Sequence, residues 1–115
     1  QTVRFLSAWV VQFTERPGQP LCCVEPLLEG EFVKHNNNRG AVLSQRMVPQ
    51  AFSHFTYEET EGRLLVCDIQ GVEDVYTDPE IHSLDQRGFG MGNFGSAGMR
   101  SFVQTHTCNG VCMAL

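Results

Sequence analysis

An α+β fold is what this sequence predicts, and three observations predict it. Two apolar, strand-forming runs, Thr2 to Phe13 and Leu21 to Val24, flank Pro17-Gly18-Gln19-Pro20, which spells an antiparallel hairpin. A third apolar run, Leu64-Leu65-Val66-Cys67, leads straight into polar and acidic residues and reads as a buried central strand. Apolar residues at helical spacing from Met47 to Phe55, and again around Gly98 to Cys108, supply helices to cover it.

Composition narrows the classes. With 115 residues the chain is one domain or less, and 42% apolar residues including eight Phe make a modest core. The net charge is −5, from 13 acids against eight scattered bases, which offers no basic stripe to nucleic acid and no polybasic anchor to a membrane. No apolar run reaches the length of a membrane span, and Gln1 to Val11 has neither the charged start nor the cleavage site of a signal peptide. Five cysteines, an odd number with Cys22 beside Cys23, are not a secreted disulfide framework. The expectation is an intracellular protein with reduced thiols, some of them on metal.

In chain order, the hairpin ends at Glu25-Pro26, because proline cannot donate to a sheet ladder. Glu25 stands where a backbone and a carboxylate can meet a bound base, although a surface Glu before a turn is the commoner meaning of such a pair. Leu27 to Lys34 is too short and too Gly-broken for a helix and reads as an irregular connection. His35-Asn36-Asn37-Asn38-Arg39-Gly40 is a run of turn formers, hence a loop whose three amides can also lie along ribose or phosphate oxygens. Met47, Val48, Ala51, Phe52 and Phe55 then form an amphipathic stripe, with Pro49 tolerated in the first turn and His54 beside it. Glu58 to Gly62 reads as a solvated turn.

Asp68-Ile69-Gln70 and the loop to Asp78-Pro79 carry the strongest sign of chemistry. On an extended backbone Asp68 and Gln70 share a face about 7 Å apart, and Asp78 can close the group through the loop. Two carboxylates and an amide oxygen are hard ligands suited to Mg²⁺, which implies a nucleotide. An arbitrary Asp-x-Gln is more often a solvated acidic turn. Further on, Gly90, Gly92 and Gly95 formally spell G-x-G-x-x-G, but no strand directly precedes them and no acidic residue follows at the right distance, so the dinucleotide reading fails. Two readings remain open, a loop whose bare N–H groups face an anion and a flexible hinge.

His106-Thr107-Cys108, with Cys112 four residues on, places three nitrogen or sulfur ligands within seven residues. Zinc takes four such ligands tetrahedrally. His54, on a helix that must pack against the same core, is the fourth choice over His35 and His82 in polar loops. A closed set of this kind leaves no position for water, so its role is structural, and for so small a chain it can decide folding.

Several separate motifs together resemble the catalytic C-lobe of the alpha-kinases, the atypical serine/threonine kinase family. They are D-I-Q-G-V-x-D-x-Y-T-D-P-x-I-H from Asp68, G-x-G-N-x-G-x-x-G-M from Gly90 and T-H-x-C-N-x-x-C-x-x-L from Thr105. Upstream lie R-P-G-x-P-L-x-C-V-E from Arg16, E-G-x-F-x-K-x-N-x-N-x-G from Glu29 and P-Q-A-F-S-H-F-T-Y-E from Pro49. The resemblance spans nearly the whole chain and is nearest to the elongation factor 2 kinase and myosin heavy chain kinase type.

It implies an ATP-dependent protein kinase using Mg²⁺, with a protein substrate and a structural Zn²⁺. By the same resemblance Asp68 is the catalytic aspartate, Gln70 and Asp78 are Mg²⁺ ligands, Glu25 lies near adenine and Asn38 near the nucleotide. The segment Gly90, Gly92, Asn93, Gly95 and Gly98 shapes the protein-substrate side, and His54, His106, Cys108 and Cys112 hold zinc. Residues 1–115 correspond to the end of an N-lobe plus the C-lobe. The nucleotide-gripping lysine and covering loop of such kinases have no counterpart here, and Lys34 matches a different family position. The expectation is therefore a piece of a longer protein with other domains, a kinase in its entirety. A zinc-stapled, inactive binding module is the alternative.

Overall fold

A computed structural model describes residues 2–115, in the order β1 (Arg4–Phe5), β2 (Trp9–Gln12), β3 (Leu21–Val24), β4 (Val33–Lys34), α1 (Met47–Glu59), β5 (Leu64–Cys67), β6 (Gln70–Val72), β7 (Val75–Tyr76), β8 (Glu80–Ser83), α2 (Gly95–Thr105) and α3 (Gly110–Met113). This is the mixed helix and strand content expected. The strands form three sheets: β1-β7-β6-β4, the β2-β3 hairpin and the β5-β8 pair. In the first, β1 runs parallel to β7 and the other neighbours are antiparallel.

The predicted hairpin is present, with Trp9 opposite Val24 and Gln12 opposite Leu21. Its turn needs left-handed backbone at Gly18 and Gln19 (φ 78° and 45°), and Phe13 N–H closes it on Pro20 O at 3.0 Å. The run Thr2 to Phe13 is not one strand, however. It breaks after Phe5, so that β1 joins β7 while β2 turns away to pair with β3.

Helix α1 extends four residues beyond the predicted Phe55 because Tyr57 still packs on the core and Thr56 takes Val66 N–H at 2.9 Å. It stops in a Schellman closure: Gly62 N–H reaches Tyr57 O at 2.8 Å and Glu61 N–H reaches Glu58 O at 3.0 Å, with Glu61 at φ 53°. Pro49 is harmless at the third position, where the N–H has no intrahelical partner in any case.

The strand at Leu64 is not central. It pairs only with β8, Leu65 opposite His82, and the two are covered by α1 on the β5 side and α2 on the β8 side. Leu65, Cys67, Met99 and Phe102 form the core between these layers. Burying the Leu, Met and Phe side chains contributes roughly 1.5–3 kcal/mol each. Beyond Cys67 the predicted acidic loop is instead a second hairpin, β6 to β7, turning at Glu73 (φ 52°). Alternation did not mark it because its strands are two and three residues long and flanked by acids. Among the described residues no helix is long and apolar enough to cross a membrane.

Candidate active site

The chain leaves β5 and enters the four-stranded sheet through Asp68 and Ile69. Asp68 has φ 58° there, so the backbone is kinked and the extended geometry expected for Asp68 and Gln70 does not hold. Aspartate tolerates the left-handed region better than most residues, and non-glycine residues kept there cluster at working sites. Ile69 is fully buried, and its N–H donates to Asn36 Oδ1 at 2.8 Å. Gly71 is required as well: a Cβ there would lie 2.0 Å from Val75 O.

The kink brings the predicted residues together more closely than extension would. Gln70 Nε2 donates to Asp68 Oδ2 at 3.1 Å and to Asp78 O at 3.2 Å. Asp78 too is left-handed, at φ 48°. Lys34, the only lysine in the chain, places Nζ 2.8 Å from Asp68 Oδ1. Sequence reasoning gave Lys34 no part in this site; its sole signal was being the one lysine beside the asparagine run. It arrives because β4 pairs β6, Lys34 opposite Gln70.

Glu80 was likewise missed. Burial, with the charges of Asp68 and Asp78, raises its carboxyl pKa, against a smaller lowering effect of Lys34. Lys34 pairs with Asp68 alone, which leaves the Asp78 and Glu80 carboxylates without a cationic partner of their own among the described residues. Such a surplus of hard oxygen donors suits a divalent cation, and a half-turn of the Gln70 amide presents Oε1 in place of Nε2.

Asp78 also borders a cleft of about 570 Å³ lined by Leu6, Ala8, Cys23, Glu25 and Thr77. Glu25 lies just past β3, and its Oε2 accepts from Thr77 Oγ1. Glu25 and Asp78 thus share the wall of one cleft.

The three consecutive amides do not line one ligand as the sequence allowed. Buried Asn36 bonds Gln50 Oε1 at 2.6 Å and Ser53 Oγ at 3.1 Å. Asn37 closes its own turn, accepting from Arg39 and Ala41 N–H at 2.9 Å each. Only Asn38 reaches the glycine-rich loop, donating Nδ2 to Gly92 O at 3.1 Å.

In that loop the N–H groups are not bare at three positions. Asn93 N–H donates to Gly90 O, Phe94 N–H to His82 Nδ1 and Gly95 N–H to Asn93 Oδ1. Buried Asn93 also takes Ser83 N–H at 2.9 Å and gives Nδ2 to Ser83 Oγ and Gly88 O, tying the loop to β8. Gly92 carries the Glu80 carboxylate against its backbone and Gly98 the His82 ring, while an added Cβ at Gly90 would meet nothing within 4 Å. Helix α2 begins at Gly95 and ends at Thr105, before Cys108.

The tail forms a second group. His54, His106, Cys108 and Cys112 each offer one donor atom, and all four lie within 4.8 Å of one another. His106 Nε2 is 3.1 Å from His54 Nδ1, Cys108 Sγ is 3.6 Å from His54 Nδ1, and Cys112 Sγ is 3.6 Å from His106 Nε2. With zinc bonds of about 2.0–2.1 Å to nitrogen and 2.3 Å to sulfur, the edges of a tetrahedron run about 3.3–3.8 Å. The donor set fits. His54 Nε2 faces Glu58 Oε1 at 3.5 Å, an outer partner of the kind that orients a ligating imidazole. Asn109 caps α3 through Oδ1 and donates Nδ2 to Met47 O at 2.9 Å, fastening the tail to α1.

A model of the Alpha-kinase family matches residues 1–112. The chain is 56% identical over 118 residues to myosin heavy chain kinase A of Dictyostelium discoideum, covering 98% of this chain and 10% of that protein. It is 44% identical over 115 residues to eukaryotic elongation factor 2 kinase of Mus musculus, covering 98% of this chain and 16% of that one. The crystal structure of the alpha-kinase domain of myosin heavy chain kinase A in complex with ADP superposes with a TM-score of 0.97 at 55% identity, over 98% of this chain and 47% of that domain. The chain therefore spans about half of that domain and a small part of the whole relatives.

Proposed function

The chain belongs to the alpha-kinase family, and on that premise we propose that it forms the C-lobe side of an ATP-dependent protein kinase acting on serine or threonine. The observation that carries the proposal is the convergence of Lys34, Asp68, Gln70 and Asp78 beside a cleft that Asp78 and Glu25 both line. In this reading the base lies toward Glu25 and the phosphates toward the acidic group. Gln70 and Asp78 would hold Mg²⁺ beside Asp68, and the metal would neutralise charge on the phosphates.

Asp68 positions the acceptor hydroxyl and takes its proton as the oxygen bonds to the γ-phosphorus. The bond from that phosphorus to the bridging oxygen breaks, and ADP leaves. Lys34 holds the Asp68 carboxylate through Oδ1, and the half-turn of the Gln70 amide that presents its oxygen to the metal also releases Oδ2 for this work. Such preorganised groups act by positioning and by opposing developing charge. Asn38 and the loop from Gly90 to Gly98, including Gly92, Asn93 and Gly95, are assigned to the nucleotide and protein-substrate sides respectively.

We assign His54, His106, Cys108 and Cys112 to a closed structural Zn²⁺. The uncovered hairpin, with Trp9, Val10 and Leu21 56–70% exposed, is assigned to contact with the other half of the kinase domain. All five cysteines are unpaired, which supports placing the protein inside the cell.

The test is transfer of labelled γ-phosphate by the longer chain that carries the upstream half. Asp68→Asn should lower kcat by about 10²–10⁴ without loss of bound zinc. Undiminished transfer by that variant would refute the role of Asp68, and no transfer by the unaltered longer chain would favour the inactive binding module.

A further inference from the structure

His82 is 1% exposed, and the chemistry above makes no use of it. Two backbone groups grip its ring. Phe94 N–H donates to Nδ1 at 3.0 Å, and Nε2 lies 2.9 Å from Asn38 O. Because an amide N–H is a donor and a carbonyl an acceptor, Nδ1 must be bare and Nε2 must carry the hydrogen. One neutral tautomer satisfies both. The ring stacks on Phe94 with centroids 5.6 Å apart, and at Gly98 an added Cβ would come within 2.4 Å of Nε2. Asn38 and Gly92, 54 residues apart in sequence, are also joined directly. The asparagine loop and the glycine-rich loop are therefore linked twice, and one link passes through an imidazole.

We propose that His82 is a positioning residue that fixes the spacing of the nucleotide-side loop and the protein-substrate loop about the Asp68 group. This rests on the kinase reading above. Its two bonds act on different loops: the one from Phe94 sets the substrate loop, and the one to Asn38 sets the nucleotide side.

Two substitutions separate them in the longer chain carrying the upstream half. His82→Gln keeps a donor within reach of Asn38 O and loses the acceptor for Phe94. His82→Asn keeps an acceptor near Phe94 N–H and falls short of Asn38. Loss of one such bond, at about 1.4 kcal/mol, is about tenfold. His82→Gln should raise KM for the protein substrate by about that factor with KM for ATP nearly unchanged, and His82→Asn should do the reverse. Equal shifts of both constants in each variant, or lower thermal stability with unchanged kinetics, would overturn the proposal. Should neither variant fold, nitrogen NMR of the labelled wild-type ring decides: a bare Nδ1 supports the linkage, and a protonated Nδ1 contradicts it. Asp68→Asn serves as a control, since full activity there would fault the site reading itself, whatever His82 does.

Discussion

Asn36 shows how a residue with no chemistry of its own can decide where the chemistry sits. It is buried on one side chain's worth of hydrogen bonds to Gln50, Ser53 and the N–H of Ile69, so helix α1 holds the turn between Asp68 and Gln70. Replacing Asn36 with Ala strands three buried groups, each costing about 1–3 kcal/mol when unsatisfied. Asn36→Ala should lower the denaturant midpoint markedly, whereas Asn37→Ala, whose amide closes only a local turn, should shift it far less. Sequence singled out the run of amides but not their division of labour. That division depends on Gln50 and Ser53, 14 and 17 residues away. That Asp68, Gln70 and Asp78 lie near one another was legible, since oxygen-bearing side chains near a strand end are readable from residue type. Lys34 and Glu80 were not, because β4 and β8 bring them in by pairings with no local pattern.

At the scale of elements, α3 is a single turn with no buried residue. It cannot hold itself; Asn109 fastens it to α1, and zinc held by His54, His106, Cys108 and Cys112 would fasten it further. Zinc binding in small domains is worth about 10–16 kcal/mol, comparable to the whole stability of a domain, about 5–15 kcal/mol. Elemental analysis should find one zinc per chain, and a strong chelator should unfold the tail and lower the thermal midpoint. Cys112→Ser should reproduce that loss, while Cys22→Ser, on the exposed hairpin, should not. The spacing of His106, Cys108 and Cys112 made this group readable in sequence. Its fourth member, His54, came from helical periodicity, which also fixed α1. Strands β6 and β7 escaped because a two- or three-residue strand has too few positions for alternation to declare itself.

For the molecule as a whole, buried histidines make stability depend on pH. Burial lowers the pKa of His35, with Arg46 adding to the effect and Asp74 opposing it, and burial likewise lowers that of His82. The unfolded chain protonates these rings near pH 6.5, while the folded chain resists. More protons on the unfolded state means stability rises with pH in that window. Their contribution is complete above about pH 6.5 and declines as pH falls toward the lowered folded values, at up to about 1.4 kcal/mol per pH unit for each ring. Denaturant titrations at constant zinc should show that decline below neutrality, and His35→Gln should make it shallower. The α+β class was legible because the hairpin, one strand and two helices each had a local signature. The sheet order was not, since the chain leaves β5 for another sheet at a left-handed aspartate that no propensity marks.

The central claim is that oxygens at that left-handed turn hold the metal of a bound nucleotide. It is tested most directly by crystals of the longer chain grown with Mn²⁺ and a nonhydrolysable ATP analogue. Anomalous signal among Asp68, Gln70 and Asp78, with the base lying toward Glu25, is the predicted result. Manganese bound away from those three side chains, or a base at the opposite end of the cleft, would contradict it.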